Sequence, residues 1–107
     1  MHATASIISY LYNHFPPPVP PISPQSGLCS VVVWNSPNVS CGLITGYELE
    51  LLIIEPQNPY QYNVHPRLVR QVGPSGTYYI LKDEDRLEGR VPTHVTVLAI
   101  FLQSSLL

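Results

Sequence analysis

The stretch Ile44-Thr45-Gly46-Tyr47-Glu48-Leu49-Glu50-Leu51 places Tyr47, Leu49 and Leu51 on one face of an extended chain and Glu48 and Glu50 on the other. A period of two is the pattern of a strand with one face on a core and one in water. Trp34 upstream and Val95-Thr96-Val97-Leu98-Ala99 downstream are its expected packing partners. Leu28 to Trp34 also reads as a strand, with Leu28, Ser30, Val32 and Trp34 on the core face. Its other face holds Cys29, Val31 and Val33, where a simple sheet would be wet. Either the N-terminal segment covers that face or it forms a contact surface. On the second reading, Val31→Asp leaves folding intact and abolishes an association.

Further strands are expected at Tyr60 to Val64, Leu68 to Val72, Thr77 to Leu81 and Val91 to Phe101. Turn-formers separate them at Asn35-Ser36-Pro37-Asn38, Glu55-Pro56-Gln57-Asn58-Pro59 and Gly73-Pro74-Ser75-Gly76. Lys82 to Arg90 is charged and reads as a loop. Twelve prolines, and no sustained apolar spacing of three and four, exclude a helical protein. The class is all-β, and 107 residues allow one domain with one core.

Only 11% of residues are charged, against roughly 25% in ordinary soluble domains. The net charge of -2, with no basic run, argues against nucleic-acid binding. No apolar run approaches the roughly 18 residues of a membrane-spanning helix. Ala5 to Tyr12 makes a poor secretory signal, since no Lys or Arg precedes it and Asn13 and His14 interrupt it. Residues 1–19 are therefore expected to be a disordered leader and proline-rich linker, and residues 20–107 the domain. Phe15-Pro16-Pro17-Pro18-Val19-Pro20-Pro21 should adopt polyproline II, as a stiff spacer or as a ligand for a proline-recognition module.

Residues suited to chemistry are scattered. His2, His14, His65 and His94 share no metal-ligand spacing. Asp83-Glu84-Asp85 with Glu88 lacks the alternating ligands and central glycine of a calcium loop, and reads as solvated. No phosphate loop or nucleophile elbow is present. An enzyme, a cofactor and a small-molecule substrate are therefore not expected. Cys29 and Cys41 allow one disulfide, but five residues of strand, about 17 Å, separate Cys29 from Trp34 and the loop that follows it, which argues for free thiols. Asn38-Val39-Ser40 is an N-glycosylation acceptor in a loop.

Taken together, Trp34-Asn35-Ser36-Pro37, the Ile44 to Leu51 strand, the Val95, Val97, Ala99 alternation and Leu87 resemble a fibronectin type III domain over roughly Pro20 to Phe101. The resemblance implies an immunoglobulin-like β-sandwich. Two departures stand out. Thr93 occupies the place of the family's corner tyrosine, which implies a looser corner. Only Leu102 to Leu107 follow the sixth strand, so the seventh is expected to be missing and the Val95 to Phe101 edge exposed, with Leu98, Ile100 and Leu102 on its outer side.

The resulting expectation is a non-catalytic protein-binding or spacer module of an extracellular adhesion or receptor-type protein, with an unidentified protein partner. Its contact surface is sought first at Cys29, Val31 and Val33 and then at Leu98 and Ile100. The competing expectation is an intracellular scaffold protein that uses Phe15, Pro16, Pro17, Pro18 and Pro20 as a proline-motif ligand.

Overall fold

A computed structural model describes residues 2–11, 19, 28–37 and 42–103. The nine strands among them are β1 (His2–Ala3), β2 (Ala5–Leu11), β3 (Leu28–Trp34), β4 (Gly42–Leu52), β5 (Ile54–Asn58), β6 (Gln61–Val64), β7 (Leu68–Val72), β8 (Tyr78–Ile80) and β9 (His94–Gln103). A single 3-10 turn covers Asp83–Asp85. All strand pairs are antiparallel: one sheet runs β1-β9-β4-β7, a second β2-β3-β8, and β5 and β6 form a separate hairpin. The protein is therefore all-β.

The two larger sheets share one core. Tyr47, Leu49 and Leu51 of β4 meet Val97 and Ala99 of β9 and Val32 and Trp34 of β3, with Leu81 beside them. The rings of Trp34 and Tyr47 meet edge to face, their centroids 5.2 Å apart, an arrangement favoured by the aromatic quadrupole. The alternation in β4 thus does what its pattern requires, and Glu48 and Glu50 face outward to Gln71 and Arg67 across the sheet. A bulge between Ile44 and Gly46 leaves Thr45 to donate its hydroxyl to the Ile100 carbonyl at 3.2 Å.

The disordered leader expected over residues 1–19 is corrected at its start, where β1 and β2 form. Ala5 and Ile7 pack against the core, while the Ser9 hydroxyl lies 2.8 Å from that of Ser30 on the paired strand. The segment switches sheets: residues 2–3 lie on β9, and residues 5–11 pair with all of β3. Burial of alternate side chains against β3 stabilises a stretch that has no strong local signal.

Two corners also differ from expectation. Thr93 does tie its corner to the backbone, because its hydroxyl accepts the Ile54 N–H at 2.9 Å and lies 3.2 Å from the Leu52 carbonyl. Within the charged loop, Leu87 and Arg90 exchange two backbone hydrogen bonds around Glu88 and Gly89, both with positive φ. This is the geometry of a two-residue type I′ turn, which favours asparagine at its first position. Glu88→Asn should raise stability by about 0.5 kcal/mol, read as a higher urea midpoint at unchanged slope; a lower midpoint would contradict the turn assignment.

Candidate functional site

Among the described residues, exposed apolar side chains mark two places on the surface. The first group lies on the β5–β6 hairpin. Asn58 builds its turn by accepting the Tyr60 N–H at 2.9 Å through Oδ1 and donating from Nδ2 to Gln61 Oε1 at 2.9 Å, the way asparagine shapes such loops. Pro56 sits in this isolated pair of strands, outside the larger sheets, where a missing N–H is tolerated. Cross-strand pairing sets Pro56 beside Tyr62 and Ile54 beside Val64 on one face. Tyr62 is 65% exposed, Tyr60 at the turn is 92% exposed, and Val64 is open as well.

The hairpin is anchored at its base. His65 N–H donates to the Ile53 carbonyl at 3.0 Å, and the His65 ring lies 3.0 Å from Glu55, which also pairs with Arg90. An isolated two-stranded hairpin is marginal in water, so these ties give the aromatic face a fixed base.

A second apolar group lies at one end of the outer face of the β1-β9-β4-β7 sheet. Leu43 is 71% and Leu102 is 68% exposed, directly opposite each other in register, and exposed Ile100 follows beside Gly46. Leu98, further along β9, is half-buried. Among the described residues, β1 covers the edge expected to be bare at Val97 and Leu98.

The other expected contact surface does not exist as an open face. Val31 has 0% exposure, Cys29 is buried, and Val33 is half-buried. Val31 is flanked in its sheet by Ile8 and Ile80, and Val19, the one described residue of the proline stretch, is buried too. Cys29 carries a free thiol. Cys41, the Asn38 acceptor and the proline-motif residues Phe15, Pro16, Pro17, Pro18 and Pro20 lie outside the described residues.

The acidic loop is not wholly solvated either. Asp85 is fully buried: Arg70 Nε donates to Oδ1 at 2.6 Å, while the Tyr79 hydroxyl and the Lys82 N–H donate to Oδ2 at 2.7 and 2.8 Å. Burial alone would raise the Asp85 pKa, but these donors outweigh it and hold the carboxyl below its ordinary value. Tyr79 is pushed up to about 12 by burial and by its bond to Asp85. The triad joins β7, β8 and the 3-10 turn, and is a structural clasp.

A cavity of about 180 Å³ opens beside it, lined mainly by Leu51, Ile53, Pro66, Leu68 and Leu87 with Arg86 at its side. It falls below the roughly 300–1,000 Å³ of small-molecule sites. Among the described residues no group of three His, Cys, Asp or Glu could hold a metal ion, and no helix is long and apolar enough to cross a membrane.

The hairpin face escaped the sequence reading, which placed Tyr60 to Val64 only as a short edge strand. Its signal was the alternation Tyr60, Tyr62, Val64 after the Asn58-Pro59 turn. Comparison of the chain with protein-family models, curated proteins and solved structures found no match.

Proposed function

We propose that this protein is a non-catalytic binding module that recognises a protein partner through the apolar face of the β5–β6 hairpin. The observation that carries this reading is the exposure of Tyr60, Tyr62 and Val64 on a hairpin whose base is pinned. Exposed tyrosines on a fixed frame are what protein interfaces enrich, since a large amphipathic ring loses little conformational freedom on binding. Contiguous apolar side chains on a projecting element serve as contact sites in water-soluble domains.

The module reading extends to a fibronectin type III-like domain of an extracellular adhesion or receptor-type protein. The division of strands, β2, β3 and β8 against β9, β4 and β7, supports the sandwich type. The acceptor motif at Asn38 supports the extracellular setting.

The test is selection of binders from a displayed peptide library on the immobilised full chain. Enriched binders should compete with one another and lose about tenfold or more in affinity, ~1.4 kcal/mol, against the Tyr62→Ser, Val64→Ser double variant. Trp34 fluorescence checks that this variant stays folded. Binders that hold the double variant as tightly as the native chain would sink the hairpin as the site.

A further inference from the structure

The cavity beside the Asp85 clasp sets apolar space next to a cation. Leu51, Ile53, Pro66, Leu68, Leu87 and Pro92 supply its hydrocarbon walls, and it encloses about 180 Å³. An apolar cavity of about 150 Å³ takes up a guest the size of benzene, so this one has room for a single ring or a branched chain of similar bulk. The volume that excludes a drug-sized ligand suits one such group.

Arg86 lies at the side of that space. Among the described residues, Arg67 pairs with Glu50, Arg70 with Asp85 and Arg90 with Glu55, while no ion pair involves Arg86. Its Nε is buried and has no hydrogen-bond partner. A buried donor without an acceptor forfeits its hydration and gains nothing in return, and native structures keep few of them. Two other titratable residues line the cavity, His65 and Glu84. The His65 ring is held 3.0 Å from Glu55, and Glu84 is exposed, so that solvent screens its charge.

We propose that this cavity binds a small apolar carboxylate, with the hydrocarbon end among Leu51, Ile53, Leu68 and Leu87 and the carboxylate on the Nε and Nη edge of Arg86. The guanidinium turns that edge from the cavity wall to the opening as the acid enters, and Nε gains the acceptor it lacks in the empty cavity. A guanidinium offers a carboxylate two parallel donors, which a neutral guest of the same shape cannot use as well. The acid is either a free small molecule or the C-terminal residue of a peptide, since both present a carboxylate beside an apolar group.

Hydrocinnamate, one phenyl ring on a short carboxylate, is the probe. Titrated into the isotope-labelled full chain, it should give saturable shifts at the backbone N–H groups of Ile53, Leu68 and Leu87, with Kd on the order of 1 mM. The matching carboxamide, which keeps the shape and loses the charge, should bind about tenfold more weakly. Arg86→Gln should weaken hydrocinnamate about tenfold and leave the affinity for the carboxamide unchanged, with Trp34 emission showing that the variant is folded. A peptide that ends in phenylalanine with a free carboxylate separates the two sources: tighter binding than hydrocinnamate identifies a chain terminus as the ligand, and weaker binding identifies a free acid. No saturable shift at the lining residues of the native chain overturns the inference. So does equal binding of the acid and its carboxamide, or a folded Arg86→Gln chain that holds the acid as tightly as the native one. Binding at the exposed hairpin face is read by its own variants and stands or falls apart from these outcomes.

Discussion

Val31→Asp should remove most of the stability of the chain and move its urea midpoint close to zero. Val31 has no exposed surface and sits between Ile8 and Ile80 in the middle strand of its sheet. A carboxylate there has either to be desolvated without a partner or to take up a proton, and both are costly, about 4 kcal/mol or more. A single domain of this size holds only about 5–10 kcal/mol in total. Circular dichroism together with emission from Trp34, the one tryptophan, reads the outcome directly. Val31→Ala, which opens a small cavity and buries no charge, should remain folded with its stability lowered by about 2 kcal/mol. If Val31→Asp instead unfolds in urea at the native midpoint, the burial of this face is wrong and Cys29, Val31 and Val33 return as a contact surface.

That reversal shows where the sequence was readable. The β4 pattern was legible because its alternation is clean: Tyr47, Leu49 and Leu51 inward and Glu48 and Glu50 outward can be satisfied in one register only. Trp34 and Val97 followed as partners because large apolar residues at the right parity leave few other places to bury. By contrast, Cys29-Ser30-Val31-Val32-Val33 is apolar on both sides, and a strand covered on both faces looks the same in sequence as one with a sticky outer face. The identity of the cover is a long-range fact.

The same limit explains β1 and β2. Ala5 to Leu11 gains its strand character from pairing with β3, its partners running from Trp34 opposite Ala5 to Leu28 opposite Leu11, and local propensity cannot see so distant a partner. The hairpin face was missed for a different reason. Its alternation was visible, but Pro56 and Pro59 read as strand breakers, whereas pairing outside the larger sheets removes the penalty.

Asp85→Ala should cost about 3 kcal/mol, the second large effect, although the residue lies in a run that reads as a solvated loop. Nothing local distinguishes Asp85 from its exposed neighbours Asp83 and Glu84; its donors come from Arg70 and Tyr79 on other strands and from the Lys82 amide. Removing the carboxylate strands all three donors. The estimate sits at the low end for a broken buried pair because the Arg70 side chain keeps 27% of its exposure and can be partly rehydrated.

The clasp also dictates the pH response. The folded Asp85 pKa lies below its unfolded value of about 3.9, so its contribution is complete above that pH and disappears as pH falls through the folded value. Tyr79 acts at the other end. Its folded pKa of about 12 exceeds the unfolded value near 10, so the fold resists tyrosinate and loses stability as pH rises from about 10 to 12. Urea midpoints measured across both ranges should therefore fall at each end for the native chain. Asp85→Asn should start lower at neutral pH and fall less steeply below about pH 4, since it has no carboxyl to protonate at that site. Equal acid slopes for the native chain and Asp85→Asn would mean that Asp85 titrates alike in the folded and unfolded chain, so that the clasp does not hold its carboxyl down, and a native midpoint that rises on acidification relative to Asp85→Asn would mean that Arg70 and Tyr79 hold a neutral acid between them.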